Sequence, residues 1–190
     1  LIICNDCAMS TSDQSAKKLA KLAKAYFGTG CFWGAERRFW QMEGVIETSV
    51  GYMGGTSPSP SYEQVCKGTT GHSEIVCVDF DPSKISFHRL LSEFWTMHDP
   101  TTLNRQGGDI GSQYRSVIFT TSDDQLEVAE KTRGVYQKLL SSEGIGEIVT
   151  QIEGSTGHEY WLAEEYHQKY LAKNPNGYDC HSSTGIAFPT

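Results

Sequence analysis

The sequence predicts an α+β protein, a ferredoxin-like two-layer α/β sandwich with an irregular C-terminal tail. Three observations predict it. Short runs rich in Val, Ile, Thr and aromatic residues read as strands, and longer stretches with apolar residues at helical spacing read as helices. Their order along the chain is β-α-β-β-α-β, followed by a helix, a strand and irregular structure. Residues 1–24 form a small, polar N-terminal extension, with a short helix expected over 16–23. Residues 25–173 form the main domain and 174–190 the tail.

Each element has a local signature. Residues 25–27 make an apolar run that a glycine ends. Phe32, Ala35, Phe39 and Trp40 then fall on one face of a helix over 32–42. A strand is expected over 45–52, then a Gly/Pro/Ser loop to Tyr62 and a polar stretch to Gly71. Over 74–80, Val76, Val78 and Phe80 share one face with Glu74. Ser86 caps a helix carrying Leu90, Leu91, Phe94 and Met97. Residues 99–114 make a long Gly/Asn/Thr/Asp loop, of the length that usually carries function. A strand over 116–120 precedes Ser122-Asp123-Asp124-Gln125, which reads as a capping box for a long helix. A strand over 147–152 and a short helix over 159–170 complete the pattern.

At 190 residues the chain fits one domain with a core of its own. The net charge of −7 argues against nucleic acid or an anionic membrane surface as partner. No apolar run is long enough to span a bilayer, and Leu1-Ile2-Ile3 is too short for a signal core. A monomer in the cytoplasm, or in an organelle, is the expectation. The six cysteines, at 4, 7, 31, 66, 77 and 180, are irregularly spaced. In a chain of this size that favours one or two working thiols over a disulfide framework.

Gly30-Cys31-Phe32-Trp33-Gly34 is the most informative stretch. It puts a cysteine at a strand–turn–helix junction, where unpaired backbone N–H groups and the helix dipole favour thiolate. Phe32 and Trp33 supply an apolar floor, and the glycines allow a ligand close to the backbone. Glu74, on a core-facing register, is expected to be desolvated, which raises its pKa and lets it donate a proton. Tyr62 and Tyr114 end loops, where their hydroxyls can point into a cleft. Asp109 sits in Gly107-Gly108-Asp109-Ile110-Gly111. Cys66 reads as a packing residue and Cys77 as a buried strand residue. The six histidines show no metal-ligand spacing, so no metal and no cofactor are expected, and His72 and His167 are read as hydrogen-bonding residues. Two alternatives stand beside this reading. One is a cysteine hydrolase with His72 or His167 as base. The other is a zinc-binding interaction module built from Cys4, Cys7, Cys180 and His181.

Ordered motifs add a resemblance. Gly30 to Glu36, Gly51-Tyr52 with Gly54-Gly55 and Ser61-Tyr62, Gly71-His72-Ser73-Glu74, the block from His98 through Asp109 to Ser116, and Glu164 to Tyr170 together resemble the methionine sulfoxide reductase A family. The resemblance runs from about residue 25 to 180. It implies reduction of the S epimer of methionine sulfoxide, in proteins or free. Cys31 would be the nucleophile and Glu74 the acid, with Tyr62, Tyr114 and Asp109 assisting. Phe32 and Trp33 would seat the S-methyl group. It also implies that the Cys31 sulfenic acid is resolved by Cys180 and that thioredoxin reduces the Cys31–Cys180 disulfide. Two departures stand out. Asp179 separates the Gly177-Tyr178 pair from the cysteine, and no cysteine follows Cys180, which implies a two-thiol relay.

Overall fold

The computed structural model describes residues 22–180 and 182–189. Cys4, Cys7, His181 and most of the helix expected over 16–23 lie outside them. The last residue of that expected helix, Ala23, opens the first strand.

The elements in chain order are β1 (Ala23–Thr29), α1 (Phe32–Trp40), β2 (Val45–Met53), α2 (Tyr62–Cys66), β3 (Ser73–Phe80) and α3 (Phe87–Met97). A small hairpin follows, β4 (Arg105–Gln106) and β5 (Asp109–Ile110), and then a 3₁₀ turn at Ser112–Tyr114. The remainder is β6 (Ser116–Thr120), α4 (Asp123–Ser142), β7 (Gln151–Gly154), β8 (Trp161–Leu162), a second 3₁₀ turn at Glu165–His167 and α5 (Tyr170–Lys173). The main sheet runs β7-β6-β1-β3-β2-β8. Its pairs are antiparallel except β6–β7, which is parallel, with α4 as the crossover.

The alternation read in β3 sets the two layers. Val76, Val78 and Phe80 join the main core under α1 and α3, while Ile75 packs on the other face with Met53, Val117 and Phe119. Phe27 ties the first layer together. Its ring lies 4.9 Å from Phe39 of α1 and 5.5 Å from Phe94 of α3, so both helices cover the same face. On the far face the chain near Tyr160 lies close, and Gly51 permits it. A Cβ on Gly51 would sit 2.4 Å from the Trp161 carbonyl oxygen.

Helix starts follow the sequence signals, with one change. Ser86 Oγ accepts the Arg89 N–H, and Ser122 Oγ accepts the Gln125 N–H. The Gln125 carboxamide does not close the box on Ser122, however. It accepts from Thr121 N–H and donates to the Lys24 carbonyl, joining α4 to β1. The full capping box is at α2, where Ser61 and Gln64 exchange both bonds.

Two expected elements differ. The strand placed over 147–152 begins only at Gln151, because earlier backbone groups are satisfied elsewhere. Ile148 N–H donates to the Gln137 side chain and Val149 N–H to the Pro100 carbonyl. The helix placed over 159–170 is a strap across the sheet edge. Trp161 and Leu162 pair with Tyr52 and Gly51, and Lys169, at φ 52°, turns left-handed and interrupts any helix there. Beyond β8, the Gln168 carboxamide replaces a neighbouring strand. It accepts from Val50 N–H and donates to the carbonyls of Val50 and Ala163, each at 2.9 Å. Gln168→Leu removes the partner of the Val50 N–H, while the Val50 carbonyl keeps the Ala163 N–H, and is expected to cost about 1–3 kcal/mol in a urea titration. An unchanged midpoint would show that the strap is held by other contacts.

Candidate active site

The strap, the start of α1, the β4–β5 hairpin and the C-terminal segment converge at one end of β3. Gly30 makes the junction with β1. At φ +95° it takes a conformation costly for other residues, and a Cβ there would lie 2.7 Å from Gln106 Cγ. Cys31 is the N-cap of α1 and is half-buried. Of the orphan N–H groups at this helix start, that of Phe32 donates to Glu74 Oε2 at 3.1 Å, and that of Trp33 is directed at the Cys31 sulfur.

Glu74 is buried, at 2% exposure, on the register the sequence indicated. Burial pushes its pKa up to about 8, the Phe32 N–H opposes this, and the negative charge of Asp109 adds to it. At neutral pH the group is a carboxylic acid. The thiolate expected at Cys31 is not what the surroundings favour. Burial raises the thiol pKa, as do the nearby Glu74, Asp109 and Cys180, and the Trp33 N–H offsets only part of this. Desolvation and like charge outweigh the helix terminus, so the resting state is a neutral thiol beside a neutral acid.

The apolar wall is an aromatic cluster around His167, which is fully buried. Phe32, Tyr62 and Tyr166 lie 5.2, 4.5 and 4.0 Å from its ring, centroid to centroid. The Trp33 indole N–H donates to His167 Nδ1 at 3.0 Å, and its rings stack on Tyr170 at 3.8 Å. Glu164 locks this wall to the sheet. It accepts from the Tyr62 N–H and the Tyr52 hydroxyl, each at 2.8 Å. Tyr62 and Tyr114 both lie within electrostatic reach of Glu74, and burial holds both phenols in the protonated form. Tyr114 is set by its 3₁₀ turn, which Ser73 and Arg115 hold through bonds to the Gln113 and Ser112 carbonyls.

The C-terminal segment closes the other side. The Tyr178 hydroxyl donates to both oxygens of Asp109, at 3.2 and 3.3 Å. Asp179 pairs with Arg37 of α1. The Cys180 thiol lies 3.7 Å from the Gln106 carbonyl oxygen and within electrostatic reach of Cys31. Further along, the chain is anchored again. Tyr136 donates to the Ile186 carbonyl at 2.6 Å, and Phe188 is buried in the core.

Cys31, Phe32, Trp33, Tyr62, Glu74, Asp109, Tyr114 and Cys180 are thus gathered in one place. Sequence reasoning gave no role to Tyr52, Glu164, Tyr178 or the Arg37–Asp179 pair, since each acts through a partner more than 60 residues away. Cys66 is a correction. It is exposed, not packed, and its thiol contacts the Tyr62 hydroxyl. Cys77 is buried as expected. The hydrolase alternative finds no base. His72 spends both ring nitrogens on the 55–57 loop, and His167 Nδ1 is occupied by Trp33. Among the described residues no three His, Cys, Asp or Glu side chains converge on a metal position, and no helix is long and apolar enough to cross a membrane. The zinc alternative needs Cys4, Cys7 and His181, which lie outside the described residues.

Comparison with known proteins agrees with this geometry. The family model for peptide methionine sulfoxide reductase matches residues 23–187. Peptide methionine sulfoxide reductase MsrA of Pseudomonas putida (strain GB-1) is 55% identical over 165 residues, 87% of this chain and 73% of that protein. Among solved structures, methionine sulfoxide reductase A of Corynebacterium diphtheriae has a TM-score of 0.80 at 42% identity, covering 90% of this chain and 84% of that one. Mxr1 from Saccharomyces cerevisiae in reduced form has a TM-score of 0.75 at 38% identity, covering 86% and 93%. The yeast protein has also been solved in complex with Trx2. With its family model matched over nearly the whole described chain, and its thiol, acid and aromatic wall brought together at one end of β3, the protein belongs to the peptide methionine sulfoxide reductase family.

Proposed function

We propose that the chain reduces the S epimer of methionine sulfoxide through Cys31, with Glu74 as proton donor and Cys180 as resolving thiol. The observation that carries this reading is the buried, protonated Glu74 bonded to the amide that follows Cys31. A sulfoxide sulfur becomes electrophilic as its oxygen gains a proton. Glu74 supplies that proton, and the Tyr62 and Tyr114 hydroxyls donate hydrogen bonds to the same oxygen. The Cys31 sulfur attacks, and its own proton returns to the Glu74 carboxylate. The substrate S–O bond breaks, Cys31 takes the oxygen as sulfenic acid, and methionine leaves. Phe32 and Trp33 hold the S-methyl group, and Asp109 helps to hold and polarise the site.

The Cys180 thiol then attacks the Cys31 sulfur. A disulfide forms and water is released. A dithiol of the thioredoxin class returns both sulfurs to thiols, as fits a relative solved with Trx2. Residues 25–173 serve as the catalytic body and 174–190 as the tail that brings the second thiol. The β6-β1-β3-β2 order with α1 and α3 on one face supports a ferredoxin-like description of that body. A reducing compartment, cytoplasmic or organellar, suits the free thiols.

Separated S and R epimers of a methionine sulfoxide peptide with dithiothreitol test the reading. Turnover of S alone is expected, and equal turnover of both would overturn the epimer assignment. Cys180→Ser should convert one equivalent of sulfoxide per enzyme and then fail to cycle with thioredoxin. Normal cycling of that variant would move the resolving role to another cysteine.

A further inference from the structure

The Arg37–Asp179 pair joins the helix that begins at the nucleophile to the residue just before the resolving thiol. Arg37 lies six residues past Cys31, about 9 Å along α1 at 1.5 Å per residue. One rigid helix therefore carries Cys31 at its start and grips the backbone neighbour of Cys180 further on. The carboxylate is only 18% exposed, so water competes weakly for the pair. A second tie acts on the preceding residue, where Tyr178 bonds to Asp109 of β5. The Cys180 thiol consequently rests over the hairpin, against the Gln106 carbonyl, and the Gln106 side chain lies on Gly30 beside the nucleophile. Disulfide closure needs the two Cα atoms within about 4.4–6.8 Å. The tail has no regular structure around Cys180, so its position depends on such tethers.

We propose that Arg37 is a positioning residue for the resolving step: by holding Asp179 it keeps Cys180 within reach of Cys31, so that the protein disulfide closes ahead of other thiols. This rests on the assignment of Cys31 and Cys180 above. The step it serves is balanced. The Cys180 S–H and Cys31 S–OH give one S–S bond and one water, and the sulfenic acid comes from the preceding reduction. Holding two reactants in place raises their effective concentration, and loosening one tether lowers it.

The test uses the full chain and the S-sulfoxide of N-acetylmethionine amide, with rapid quenching. Methionine release reports the first step. Alkylation and mass spectrometry report the Cys31–Cys180 bond. For Arg37→Met and for Asp179→Asn, methionine release should stay within about twofold of wild type while disulfide closure slows about tenfold. The exchanged pair Arg37→Asp with Asp179→Arg should recover part of the lost rate. Closure at the wild-type rate in both single variants would overturn the proposal while leaving the Cys180 assignment standing. Equal slowing of both steps would overturn it as well, since that marks general damage to the site. Absence of a Cys31–Cys180 bond in the wild type would remove the resolving assignment, and the positioning role with it.

Discussion

Cys31→Ser is expected to abolish sulfoxide reduction with every reductant, dithiothreitol included. The alcohol has the size of the thiol but not its nucleophilicity, and it cannot carry oxygen as a sulfenic acid. No other described cysteine can take its place. Cys77 is buried in the middle of β3, on the Ile75 face rather than the Glu74 face. Cys66 stands on the surface against Tyr62, and Cys180 lies over the hairpin. The fold should be unaffected, because serine matches the size of cysteine and its hydroxyl can accept the Trp33 N–H that is directed at the Cys31 sulfur. Single-turnover release of methionine is the measurement, and more than trace product would remove Cys31 as nucleophile.

Glu74→Gln should slow the chemical step by about 10²–10⁴-fold, the usual range for loss of a positioned acid. The carboxamide can still accept the Phe32 N–H, so the geometry is kept. Stability should move the other way. The carboxyl titrates near pH 8 in the folded protein, against an ordinary value of 4.5. Its contribution to stability is complete below about pH 4.5 and is lost as pH rises toward 8, at about 1.4 kcal/mol per unit of difference. Glutamine does not titrate. The variant should therefore gain on the wild type in urea titrations run from pH 5 to pH 8 while remaining nearly inactive. A normal single-turnover rate would exclude Glu74 as the acid, and parallel pH–stability curves would show that its proton is not held by burial.

Much of this was legible in the residues. The alternation of Val76, Val78 and Phe80 placed Glu74 toward the core, and the glycines around Cys31 placed that thiol at a helix start. Both readings depend on spacing within one element, which a sequence displays directly. The state of the Cys31 thiol was misread for a complementary reason. The helix terminus is visible in the sequence, whereas the desolvation that outweighs it arises only when β3 lies beside α1. The strap was misread as a helix because side chains supply its constraints: Gln168 substitutes for a strand, and Glu164 spans Tyr52 and Tyr62. Cys66 was read as a packing residue although Glu63, Gln64, Lys67 and Gly68 around it are not apolar, and the structure leaves it exposed at the end of α2.

The long sequence separations within the site bear on the life of the protein before it is complete. Glu74 follows its partner Phe32 by 42 residues, while His167 follows Trp33 by 134 and Asp179 follows Arg37 by 142. At translation rates of about 5–20 residues per second, the wall around the nucleophile arrives roughly 7 to 30 s after the nucleophile itself. During that interval Cys31 has neither the burial that keeps it a neutral thiol nor Cys180 to resolve its sulfenic acid. An oxidant that the finished protein would meet with a paired cysteine can carry the nascent one onward to the sulfinic acid. Oxidative stress should therefore inactivate newly made molecules in greater proportion than old ones, a bias that pulse-labelling with mass analysis of the Cys31 peptide would reveal.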